Sequence, residues 1–166
     1  MRHAIYTIGY EGSTIEDFVE TLKENDISLL VDIRDFPGSR KKGFSKSTLS
    51  AILHSFDIGY IHLRGLGDPK EGRDAARAGK RKDFLRIFHT HLKTTDAQID
   101  LSRAAGLVAA EPACLLCYER DHTQCHRDIV ASLLAERESL SVRNLQVRHG
   151  AADMDSYTEI PHLTYA

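Results

Sequence analysis

Cys117, Glu119, His126 and Arg127 bring a thiol, a carboxyl, an imidazole and a guanidinium into one short stretch of a 166-residue chain. Such a set can do covalent and proton-transfer chemistry. Cys117 would be the nucleophile, Glu119 or His126 the general acid or base, and Arg127 the holder of an anion. Cys117 lies at the end of an apolar run over 113–118. Cys125, His126 and Arg127 open the helical stretch that follows, with Thr123 as its expected cap. Exposed backbone N–H groups at a helix start favour an anion and lower the pKa of a nearby thiol. Glu119 and Asp121 work in the other direction, since like charge disfavours a thiolate or a phosphate. The competing reading makes Cys117 a small packed hydrophobe, and Cys114 is read as core.

A second group gathers around residues 32–46. Asp32 and Arg34 have the same strand parity, so they share a face. They are either an ion pair that positions the following loop or a bidentate fork for a ligand. Pro37, Ser39 and Arg40 belong to that loop, and Phe44 sits among Arg40, Lys41, Lys42 and Lys46. Cations interleaved with an aromatic ring can track a phosphate backbone and stack a base. Gly9 and Tyr10 end the first strand, and with Cys125 complete the candidate ligand-binding set. Zinc is the rival use of Cys114, Cys117, Cys125 and His126. Against it, residues 114 and 117 diverge if both lie in one strand, and adjacent helical residues point about 100° apart. No metal and no cofactor is assigned.

These residues need a frame that brings them together. Strands are expected at 4–8, 29–33, 60–63, 113–118 and 142–147, each a short apolar run. Helices are expected between them. One starts at Ser13, where Ser13 and Glu16 read as a capping box; one starts near Ser45; others carry 84–92, 99–108 and 129–134. Residues 64–80 hold several glycines among charges and read as a long mobile loop. Strands alternating with helices give an α/β fold. The expectation is a single three-layer domain over 1–150, with a mostly parallel five-stranded sheet, helices on both faces and a tail over 151–166. In such a sheet ligands bind beyond the carboxyl ends of the strands, and nearly all the distinctive polar residues fall on that edge.

Composition is that of an ordinary globular protein, with 42% hydrophobic and 28% charged residues. No apolar run is long enough to span a membrane, and no membrane partner is expected. Three crowded cysteines argue against a disulfide framework and for reduced thiols in the cytoplasm. The net charge of −2 conceals an excess of about +8 over 34–93 and about −10 elsewhere, which suggests an anionic ligand on one side of the fold.

The blocks Thr7-Ile8-Gly9-Tyr10, Leu30-Val31-Asp32-Ile33-Arg34 with Pro37, Ser39 and Arg40, and Leu115-Leu116-Cys117-Tyr118-Glu119 closing in Cys125-His126-Arg127 resemble the uncharacterised family called domain of unknown function 488. The resemblance runs over 4–148 and implies an α/β domain with no established activity. Some relatives carry a DNA-repair label. Gly67-Asp68 departs from the family pattern, where a second glycine is usual. A more distant similarity, to rhodanese-like domains, rests on the Asp-x-Arg strand end and on a cysteine-ended strand whose loop closes with Arg. The loop from Cys117 to Arg127 is about twice the length usual there, which argues against sulfurtransferase activity. The function expected is an anion-binding or catalytic cleft for a phosphorylated or nucleotide-like small molecule. A nucleic-acid-binding module and a metal-binding Cys/His site are the alternatives, and neither the reaction nor the oligomeric state is assigned.

Overall fold

The computed structural model describes residues 3–160; the last part of the expected tail, 161–166, lies outside them. In chain order the elements are β1 (Ile5–Gly9), α1 (Ile15–Glu24), β2 (Leu29–Asp32), α2 (Lys46–His54), β3 (Gly59–His62), α3 (Lys70–Arg77), α4 (Arg81–Leu92), α5 (Thr95–Ala110), β4 (Ala113–Cys117), α6 (Arg127–Glu138) and β5 (Val142–Gln146). Short 3-10 turns stand at Arg64–Leu66, His122–Gln124 and Met154–Tyr157.

The strands form a five-stranded sheet in the order β3-β2-β4-β1-β5, parallel throughout. The expected α/β fold with a parallel sheet is therefore present. β2 and β4 are its interior strands together with β1, and every residue of β2 and of β4 is buried. Side chains alternate across the sheet. Leu29, Val31, Ala113 and Leu115 face a core shared with α3, α4, α5 and α6. Leu30, Cys114 and Leu116 face the core under α1 and α2. Cys114 and Cys117 thus leave opposite faces, as their odd separation requires. No helix among the described residues is long and apolar enough to cross a membrane.

Three local expectations are corrected. The side chain that caps α1 is Thr14, which accepts from the Asp17 amide, whereas Ser13 closes the preceding turn on the Tyr10 carbonyl. Thr123 does not cap α6; Asp121 accepts from its amide and hydroxyl within the 3-10 turn. Residues 64–80 are not a loop. They form a 3-10 turn and α3, whose buried residues are Gly72 and Ala75. Such small side chains give no apolar periodicity to read, yet they let the helix lie close against Asp68.

Candidate functional site

All five strands are parallel, so the ends of β1, β2 and β4 open on the same edge, and α3 lies over them. A cavity of about 590 Å³ lies there, in the range of ordinary small-molecule sites. Tyr10 enters it just after β1, Arg34 just after β2, Cys117 at the end of β4 and Glu119 just beyond it, and Cys125 and His126 just before α6. These six expected site residues do converge on one cavity.

The remaining candidates have other places. Arg127 is fully buried and does not line the cavity. It donates to Thr7 Oγ1 at 3.1 Å, to Cys117 Sγ at 3.0 Å, to the Arg120 carbonyl at 3.2 Å and, at close range, to the Glu119 carbonyl. Arg34 lines the cavity, but its fork grips Asp32 in a bidentate pair at 2.9 and 2.8 Å. Its other nitrogen donates to the Phe44 carbonyl and the Tyr10 hydroxyl. Asp32 also accepts from the Tyr60 hydroxyl. Both arginines therefore bind protein acceptors that hold the strand ends in place.

Gly9 has no access to the cavity. A Cβ there would be driven into the Glu119 carbonyl, so glycine is what lets β1 pass under the β4 loop. Gly9→Ala is expected to destabilise the fold by about 1–3 kcal/mol in urea titration, as overpacking does.

Phe44 is fully buried. It stacks on Tyr10 at 4.4 Å and meets Phe18 edge-on, so it has no free face for a base. The cations flanking it hid an apolar anchor. Ser39 and Ser45 bond one another through side chain and backbone, and the Pro37 carbonyl accepts from Lys46. Pro37, Ser39 and the exposed Arg40 thus shape a loop outside the cavity lining.

Cys117 and Cys125 bring their sulfurs into contact, with Cα atoms 7.3 Å apart, farther than a disulfide normally spans. The eight-residue separation closes a loop that returns the start of α6 to the end of β4. His126 Nε2 lies 2.7 Å from the Ile33 carbonyl, so that nitrogen carries the proton, and Nδ1 faces Cys125 Sγ at 3.5 Å. Burial, reinforced by the Arg127 charge, lowers its pKa to about 4 although the Ile33 bond opposes this, and the ring is neutral at pH 7. Cys117 Sγ, Cys125 Sγ and a Glu119 oxygen lie within 4.8 Å of one another.

Residues not anticipated complete the site. Asp68 lies at the foot of α3, is 5% exposed and has an Oδ1 without a hydrogen-bond partner. Burial pushes its pKa up to about 7, with Glu119 and Asp35 adding to the rise and Arg73 opposing it. Burial also raises Glu119. Lys70, Arg73 and Arg77 line the α3 side of the cavity, with Arg73 held by Asp35 at 2.9 Å and by the Asp68 carbonyl at 2.7 Å. Phe36, 72% exposed, and Tyr118, 48% exposed, present aromatic surface at the rim. Cations at 70, 73 and 77 recur at helical spacing, and that was the available signal.

A family model described as "Domain of unknown function DUF488" matches residues 14–134. The chain belongs to this family. No curated protein and no solved structure matches it, so the rhodanese-like similarity gains no support from either comparison. The DUF488 match spans β2, α3, β4 and the start of α6, and so covers most of the residues that line the cavity.

Proposed function

We propose that this DUF488 protein is an enzyme whose strand-end cleft takes a phosphorylated, nucleotide-like small molecule, with Asp68 as its general acid or base. The observation that carries the reading is the buried Asp68 carboxyl in the cavity lining, whose Oδ1 has no hydrogen-bond partner and whose pKa is raised to about 7 by burial. A catalytic acid or base works best when its pKa lies near the working pH, and a strongly perturbed group in a cleft marks a functional site. Glu119, also raised, is the second carboxyl of the pair. Arg77 supplies positive charge for the phosphate, Lys70 and Arg73 being paired with Asp74 and Asp35, and the faces of Phe36 and Tyr118 suit a planar ring. A cytoplasmic setting, where such ligands occur, belongs to the same proposal.

The test is binding of a nucleoside monophosphate panel, with inorganic phosphate alongside, followed by calorimetry and thermal shift. At least one nucleotide is expected to bind in the micromolar-to-millimolar range ordinary for substrates. Arg77→Ala should weaken it by about tenfold, the scale of one lost charge-assisted hydrogen bond. Asp68→Asn should leave binding in place and remove turnover. No binding across the panel, or salt-sensitive retention of a single-stranded oligonucleotide in its place, would overturn the reading.

A further inference from the structure

Two thiols and a carboxyl meet at the cavity wall. Cys117 Sγ, Cys125 Sγ and a Glu119 oxygen share a sphere of contact, each within 4.8 Å of the others, and all three residues line the cavity. The Cα atoms of the two cysteines are 7.3 Å apart, more than a disulfide spans. Each sulfur accepts an N–H, Cys117 from the Arg127 guanidinium at 3.0 Å and Cys125 from the Arg127 amide at 3.4 Å. Such bonds are strongest toward an ionised acceptor. His126 stands beside them. Its Nε2 faces the Ile33 carbonyl at 2.7 Å, and its Nδ1 turns to Cys125 Sγ at 3.5 Å. A histidine that ligates a metal is held in the same way, one ring nitrogen donating to a carbonyl and the other presenting its lone pair.

We infer that Cys117, Cys125 and Glu119 form a site for a thiophilic divalent cation of the zinc class, with His126 Nδ1 as the nearest fourth donor. Thiolate, imidazole and carboxylate are the ligand types of zinc, and three or four of them make a site. Two sulfurs among the donors select such an ion over magnesium or calcium, which take oxygen. Two thiolates on one tetrahedral zinc stand about 3.8 Å apart, with each Zn–S bond about 2.3 Å. The two side chains therefore swing apart to admit the ion, which their Cα separation allows. Binding releases both thiol protons to solvent. Two thiolates and a carboxylate around a divalent ion leave one negative charge, and Arg127, fully buried beside Cys117, offsets it. Of the carboxylates whose charge acts on that guanidinium, Glu119, Asp128 and Asp121, Glu119 is the one grouped with both sulfurs.

The zinc set expected from the sequence contained Cys114. That residue leaves the opposite face of the sheet, among the apolar side chains under α1 and α2, and Glu119 takes its place. The inference goes beyond the nucleotide reading and does not rest on it. It needs nothing from Asp68, and Glu119 is the one carboxyl that the two share.

Zn²⁺ and Co²⁺ are the probes. The full chain is reduced, stripped with a strong chelator and titrated with each ion, Zn²⁺ in competition with an indicator of known affinity. One ion per chain is expected by native mass and elemental analysis. The Co²⁺ form should show a sulfur-to-metal charge-transfer band in the near ultraviolet. Cys117→Ser and Cys125→Ser should each weaken Zn²⁺ binding by more than about 100-fold, beyond the loss that follows removal of an outer partner. Glu119→Gln should weaken it while leaving the Co²⁺–sulfur band in place. Cys114→Ala should bind as the wild type does. If a cysteine variant fails to fold, protection decides the matter: Zn²⁺ should shield Cys117 and Cys125 of the wild-type chain from iodoacetamide, and chelator should expose both. A reduced chain that takes up no stoichiometric ion overturns the inference, as does a Co²⁺ form without the sulfur band. So does a chain in which Cys117 and Cys125 are alkylated only after reduction, since the pair is then a covalent disulfide. No nucleotide enters these measurements, so their outcome is separate from that of the nucleotide panel.

Discussion

Replacing Arg127 by methionine is expected to cost the domain roughly 3–5 kcal/mol, read as a shifted urea midpoint, with the buried-charge network lost as a unit. Arg127 ties three segments to α6: Thr7 of β1, Cys117 at the end of β4, and the Glu119 and Arg120 carbonyls of the loop that follows. Methionine fills much of the same volume but offers no donor. Two carbonyls and a hydroxyl are then left without this partner, at about 1–3 kcal/mol for each that stays buried and unsatisfied. Lysine restores the charge without the fork and is expected to recover only part of the loss. A variant as stable as the wild type would show that the loop finds its hydrogen bonds elsewhere.

Asp68→Asn is expected to change how stability varies with pH. The folded pKa of Asp68, about 7, stands above its ordinary value of 3.8. The folded state therefore holds the proton more tightly than the unfolded chain does. The resulting stabilisation is complete below pH 4 and is lost as pH rises through 7. Asparagine does not titrate. The stability difference between variant and wild type should move by roughly 4 kcal/mol in the variant's favour from pH 4 to pH 8, at about 1.4 kcal/mol per pKa unit. His126 contributes with the opposite slope. Its folded pKa, about 4, lies below the ordinary 6.5, so its contribution is lost as pH falls from 6.5 towards 4. In the wild type the two slopes oppose one another between pH 4 and 6.5. The variant should instead gain stability with rising pH across that window. Parallel curves for the two proteins would show that Asp68 ionises as an ordinary surface carboxylate.

The strands were legible because each is a short apolar run with polar flanks. β2 and β4 are buried on both faces and carry the strongest signal. The carboxyl-edge rule brought Tyr10, Arg34, Cys117, Glu119, Cys125 and His126 to one cavity without any knowledge of pairing. What stayed hidden depended on tertiary partners. Phe44 looked like a stacking ring among cations because its neighbours in sequence are charged, while its neighbours in space are Tyr10 and Phe18. Arg34 and Arg127 looked like anion holders because a sequence does not say which acceptors surround a guanidinium. α3 is charged, short and built on Gly72 and Ala75, so hydrophobic periodicity passed over it, and Asp68 with it.

The placement of β1 between β4 and β5 also sets the order in which the chain can acquire its structure during synthesis. Gly9 pairs with Cys117, and Ile5 with Val142. β1 therefore leaves the ribosome well before either of its partners. At about 5–20 residues per second, its neighbours follow roughly 5–25 seconds later. Through that interval an apolar strand waits without partners, and pairing across so long a stretch of chain is slow. Such a chain is expected to lean on chaperones that shield β1 until β4 and β5 emerge, and to aggregate when translation stalls before residue 113.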